Sequence, residues 1–214
     1  MKKNSLILKG SVSKAVLLLA VPIMANNLIQ TFYNLTDTYF VSKLGTTQMA
    51  AMQFIFSLVF FMMSIGMGLS IGGLALISQY IGSENRSDAR KTAGQLLTLS
   101  VIASLIVGCT GAVLANDIVS LMGAEDELLE YATTYLRIMF LGAPTMFITF
   151  AFNGIKQGEG DTLTPMILSG LSVLLNIVLD PIFIFVLDLG IAGAAYATVL
   201  SRAIFNVISL IILF

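Results

Sequence analysis

The chain has 214 residues, of which 57% are hydrophobic and 11% charged, where an ordinary soluble domain carries about 25% charged residues. Lipid is therefore the solvent for most of it. The formal net charge is −1 and histidine is absent, which excludes the concentrated positive field of a nucleic-acid binder as well as imidazole relays and histidine metal sites.

A charged side chain at the bilayer centre costs about 3 kcal/mol and a spanning helix needs about 20 residues, so the long charge-free stretches mark spans. Six are predicted, at about 14–41, 49–80, 90–115, 127–155, 163–186 and 191–214, after a short cytoplasmic segment 1–13. The N-terminal Met-Lys-Lys before an apolar run imitates a signal peptide, but no small-x-small cleavage site follows. In the first span Pro22 frees the carbonyl of Leu18 and makes the helix bendable. One turn later Asn26, Gln30, Tyr33 and Asp37 follow at spacings of four, three and four, which places them on one face. Interhelical hydrogen bonding accounts for an Asn or a Gln in such a stripe; it does not require a carboxylate.

In the second span Ser64, Gly68 and Gly72 form a small-residue ladder that reads as helix packing. The third span contains Cys109, the one cysteine, which reads as a small hydrophobe. Between the fourth and fifth spans, Gly158-Glu159-Gly160-Asp161 imitates the Gly-x-Gly-Asp string of intramembrane aspartyl proteases, whose chemistry needs two carboxylates sharing a proton. Here the string lies in a polar loop beside Lys156, so it is read as a loop. No P-loop string is present, and the expectation is a non-enzyme without a cofactor.

The fifth span places Asn176 and Asp180 on one face, followed at once by Pro181, whose missing N–H leaves the Ile177 carbonyl free. Amide, carboxylate and carbonyl make a hard-oxygen cluster suited to protons or sodium, and interrupted helices are where transporters place such sites. The sixth span puts Thr198 and Arg202 on one face. Arg202 either snorkels to the headgroups or meets a buried carboxylate, and the sequence leaves both open. Intramembrane charges are functional candidates by default.

Lys2, Lys3, Lys9, Lys14, Arg86, Arg90, Lys91 and Lys156 fall on the N-terminal side of the predicted membrane and Lys43 on the other, where the loop after the third span is acidic. The N-terminus is therefore expected in the cytoplasm. The chain ends inside an apolar run, Leu-Ile-Ile-Leu-Phe214, which favours a segment of a longer protein.

Val21-Pro22 leading to Asn34-Leu35-Thr36-Asp37-Thr38, Asn153-Gly154 leading to Gly158-Glu159-Gly160-Asp161-Thr162, Asn176 to Pro181, and Gly193-Ala194-Ala195-Tyr196-Ala197-Thr198 together resemble the N-terminal half of multidrug and toxic compound extrusion (MATE) transporters. The resemblance implies an all-α polytopic membrane protein, six helices forming one lobe of a twelve-helix transporter whose second, C-terminal lobe is missing from this chain. It implies export of small organic cations across the plasma membrane in exchange for protons or sodium ions. Carried over residue by residue, it assigns ion coupling to Asp37, Asn176, Asp180 and Thr198, cavity lining to Gln30, Tyr33 and Asn153, and helix bends to Pro22, with Pro181 as the bend read from the sequence. Those four coupling residues are also the candidate sodium ligands. Protons are the preferred ion, because one proton relieves the repulsion of two carboxylates without a fixed coordination shell. A lipid or oligosaccharide-lipid flippase of the same superfamily and the transmembrane half of an ATP-driven exporter are the alternatives.

Overall fold

The computed structural model describes residues 12–213; Lys2, Lys3 and Lys9 of the N-terminal segment, and Phe214, lie outside the described residues. The described residues form helices α1 (Val12–Ser42), α2 (Thr46–Phe54), α3 (Phe56–Gly82), α4 (Arg86–Leu121), α5 (Asp126–Leu141), α6 (Ala143–Gly158), α7 (Leu163–Pro181) with a π-helical turn at Ile182–Val186, and α8 (Gly190–Leu213), and no strand among them. Five segments are long and apolar enough to cross a membrane, Thr46–Gly82 counting as one, and the pair α5–α6, bent by 49°, makes a sixth. The chain is a multi-pass, all-α membrane protein.

Several predicted spans differ in detail. The second is one span, Thr46–Gly82, whose α-helical pattern is interrupted only at Ile55, between α2 and α3. The fourth bends between Leu141 and Ala143. There Pro144 has no N–H to give the Phe140 carbonyl, and a side chain on Gly142 would meet Val199 of α8 at 2.3 Å, so the bend brings α8 in against bare backbone. The fifth is α-helical only to Pro181, and the residues to Val186 wind as a π turn, a common consequence of interrupting the hydrogen-bond ladder. The third runs past its predicted limits of 90 and 115 to Arg86 and Leu121. Its start is fixed by Asn85, which accepts from the Asp88 backbone N–H at 3.2 Å and donates to the Asp88 carboxylate at 2.8 Å. Arg137, a charge inside the fourth predicted span, donates to the Ala112 carbonyl at 3.3 Å.

The helices fall into two groups. Helices α3, α4 and α6 pack mutually, with α5 against α4 and α2 against α5; α1 lies on α7, α7 on α8, and α8 reaches back to α5 and α6. The core lies in the first group, where Met62, Leu136, Phe147, Phe152 and Ile155 are fully buried. The expected Ser64-Gly68-Gly72 ladder is not what packs. Gly68 and Gly72 face open space, and it is Gly66 and Gly73, seven apart, that receive Phe150 and Leu96. A spacing of four and a spacing of seven both mark one helix face, and spacing alone does not say which face is covered. On α1 the exposed side chains Leu17, Val21, Met24, Leu28, Phe32, Leu35 and Tyr39 form one stripe at helical spacing. In water such a surface would cost about 25 cal/mol per Å²; against lipid tails it costs nothing comparable, which is how a chain this apolar stays dispersed in a bilayer.

Candidate functional site

The face of α1 opposite that lipid stripe carries Pro22, Asn26, Gln30, Tyr33 and Asp37. Tyr33 and Asp37 are 4% exposed, whereas Asn26 and Gln30 are half-buried. Because α1 lies along α7, this face meets the fully buried Asn176 and Asp180. The Asn176 Nδ2 donates to Asp180 Oδ1 at 3.0 Å, as side chains four apart on a helix can. From α8 come buried Thr198, beside Tyr33, and half-buried Arg202. The Arg202 guanidinium lies 5.3 Å from the centre of the Tyr33 ring, a cation–π distance. The buried carboxylate that the sequence offered as a partner is not within 4.0 Å of it; the guanidinium sits against an aromatic ring instead.

The sequence reading missed one member. Tyr135 of α5, 4% exposed, donates its hydroxyl to Asp37 Oδ2 at 3.4 Å. Its signal was faint, since a tyrosine in a span reads as ordinary packing or an interfacial anchor. Asp37 and Asp180 lie within electrostatic reach of each other, and Arg202 within reach of Asp37, Tyr33 and Tyr135. By contrast, Gln30 and Asn153 are half-buried and make no side-chain hydrogen bond to the cluster; the structure does not bring them into it. Asp161 of the loop string is hydrogen-bonded to Thr164, which donates its hydroxyl at 2.6 Å and its backbone N–H at 3.2 Å. It starts α7, and the cluster carboxylates are elsewhere.

The cluster is under-satisfied. The buried oxygens Asp37 Oδ1, Asn176 Oδ1, Asp180 Oδ2, Thr198 Oγ1 and the Tyr33 hydroxyl have no hydrogen-bond partner. Neither Asp37 nor Asp180 has a cationic side chain within 4.0 Å among the described residues, where the ion pairs Lys91–Asp88 and Lys156–Glu159 lie at helix ends. A buried polar atom left unpaired costs about 1–3 kcal/mol and more when charged, so five together are poorly explained by packing. They are hard oxygens from two carboxylates, an amide and two hydroxyls, a donor set that fits a proton or a sodium ion and not a soft transition metal.

Fold and site together define a polytopic helical membrane protein with a buried, under-satisfied polar cluster inside its bundle. The MatE family pattern matches residues 22–182, and the chain belongs to that family. It is 32% identical over 198 residues to the probable multidrug resistance protein YoeA of Bacillus subtilis (strain 168), covering 90% of this chain and 43% of that protein. It is 29% identical to a FAD transporter of Shewanella oneidensis, covering 94% of this chain and 45% of that one. Among solved structures it superposes on MATE in the straight conformation with a TM-score of 0.92 and 35% identity, covering 98% of this chain and 46% of the other. The chain thus spans a little under half the length of these relatives.

Proposed function

We propose that the chain is the N-terminal lobe of a secondary active multidrug antiporter of the cell membrane, with its N-terminus in the cytoplasm, which exports organic cations in exchange for protons or sodium ions. The observation that carries this reading is the set of unpartnered buried oxygens on α1, α7 and α8. Asp37, Asn176, Asp180 and Thr198 are the coupling group, and Gln30, Tyr33 and Asn153 line the path of the exported compound. A coupling ion neutralises the carboxylates in one state; when it leaves, the anionic cluster attracts the organic cation. The Pro22 bend lets α1 respond to that change, and a second lobe, supplied by the rest of a longer chain or by a second subunit, forms the opposite wall of the path.

Protons remain the preferred ion, because the donor set needs only one proton to relieve the carboxylate repulsion. Flavin dinucleotide, the cargo named for the Shewanella relative, is the counter-example to include, since two buried carboxylates repel its pyrophosphate. The test uses the complete gene product in proteoliposomes with imposed gradients. Movement of an organic cation driven by a pH gradient without sodium is the expected result. Movement driven by sodium at equal pH, and not by pH alone, reassigns the ion; no movement under either gradient overturns the antiporter reading.

A further inference from the structure

The three charges that meet inside the bundle do not cancel. Asp37 and Asp180 contribute two negative charges and Arg202 one positive, leaving one negative charge when both carboxylates are ionised. Arginine does not deprotonate in proteins, so its contribution is permanent. It is also held in place: the guanidinium rests on the Tyr33 ring, on the same helix as Asp37 and one turn before it, and it acts on Asp37, Tyr33 and Tyr135 through space. Yet it makes no ion pair within 4.0 Å to either carboxylate. A guanidinium placed to neutralise a carboxylate outright would form a two-pronged contact with it. Here it lowers the negative potential of the cluster while leaving Asp37 Oδ1 and Asp180 Oδ2 unpartnered and available to a visitor.

We propose that Arg202 is a charge-selectivity residue: a tethered cation, seated on Tyr33, that reduces the cluster to a single net negative charge and so restricts the lobe to organic compounds bearing one positive charge. A monocation brings the site to neutrality. A dication leaves an uncompensated positive charge beside the guanidinium in a low-dielectric interior, where like charges about 8 Å apart repel strongly enough to change binding by tenfold or more. The groups that face Arg202 are Tyr33 and Asp37 from α1 and Tyr135 from α5; Asp180 of α7 joins the group through Asp37, and no second cation among the described residues acts on either carboxylate.

This inference rests on the carboxylates receiving the exported cation, as proposed above, and the test separates the two. Ethidium and propidium share a phenanthridinium ring system and carry one and two positive charges. Flux of each is measured with the complete gene product in proteoliposomes, for the wild type and for Arg202→Gln and Arg202→Lys. The wild type is expected to favour ethidium, Arg202→Gln to shift the ethidium-to-propidium ratio toward propidium by about tenfold, and Arg202→Lys, which keeps the charge and loses the guanidinium, to retain the wild-type ratio. A wild type that moves propidium as fast as ethidium overturns the proposal without any variant, and so does an Arg202→Gln protein that moves ethidium with an unchanged ratio. Should Arg202→Gln fail to accumulate, Arg202→Met decides: a ratio shifted toward propidium supports a charge effect, and an unchanged ratio refutes it. Ethidium and propidium both immobile in the wild type would instead count against the cation-export reading itself.

Discussion

Helices α6 and α7 are neighbours in sequence and similar in length, yet they bury opposite kinds of surface. The buried face of α6 is Ala143, Met146, Phe147, Ala151, Phe152 and Ile155, with Gly154 pressed against the backbone of Ser70. That of α7 is Ser169, Ser172, Val173, Asn176 and Asp180. The first face fills space at close-packed density and has one arrangement. The second leaves oxygens unpaired, a state that a small ion can change. The molecule is thus built as a packed scaffold around α3, α4, α5 and α6, against which α1, α7 and α8 hold a group of charges. For the proposed antiport, which alternates between states, the element that is cheap to perturb has to be separate from the element that keeps the fold.

The comparison is broken most directly at the carboxylates. Asp37→Asn and Asp180→Asn, each in the complete gene product, are expected to reduce export flux by about a hundredfold, because a permanently neutral group cannot alternate. The same variants should melt no lower than the wild type in detergent, since an amide replaces a buried carboxylate that has no cation within 4.0 Å. Export and its pH dependence surviving in both variants would remove the coupling role. The scaffold should behave in the opposite way. Phe147→Ala, at a fully buried position, is expected to lower unfolding free energy by about 3 kcal/mol, read by denaturant titration, while the ratio of fluxes under pH and sodium gradients stays as in the wild type. The smallest effect is expected where the two regions touch. Tyr135→Phe deletes a single long hydrogen bond from α5 to Asp37, worth about 1 kcal/mol or less, so flux should fall by no more than about fivefold with stability nearly unchanged. A loss as large as that of Asp37→Asn would move Tyr135 from an accessory to the centre of the site.

Much of this was legible in the sequence because lipid imposes strict rules. With no water to solvate backbone groups, a long apolar run must be a helix, and a carboxylate inside one must face protein. Asp37, Asn176 and Asp180 stood out for that reason, and helical spacing alone put Tyr33 with Asp37 and Asn176 with Asp180. Pairing α1 with α7, and adding Thr198, came from the family resemblance, because periodicity within a helix carries no information about which helix lies opposite.

What only the tertiary structure decided follows from the same limit. The choice of Gly66 and Gly73 over Gly68 and Gly72 as contact glycines, the donation from Tyr135 to Asp37, the seating of Arg202 on Tyr33 and the bend at Gly142 are relations between helices distant in the chain. A sequence determines which side chains share a face, through the fixed 3.6-residue repeat. It does not by itself reveal which faces meet, because in lipid every apolar face is equally well solvated, and packing and polar contacts between helices select among them.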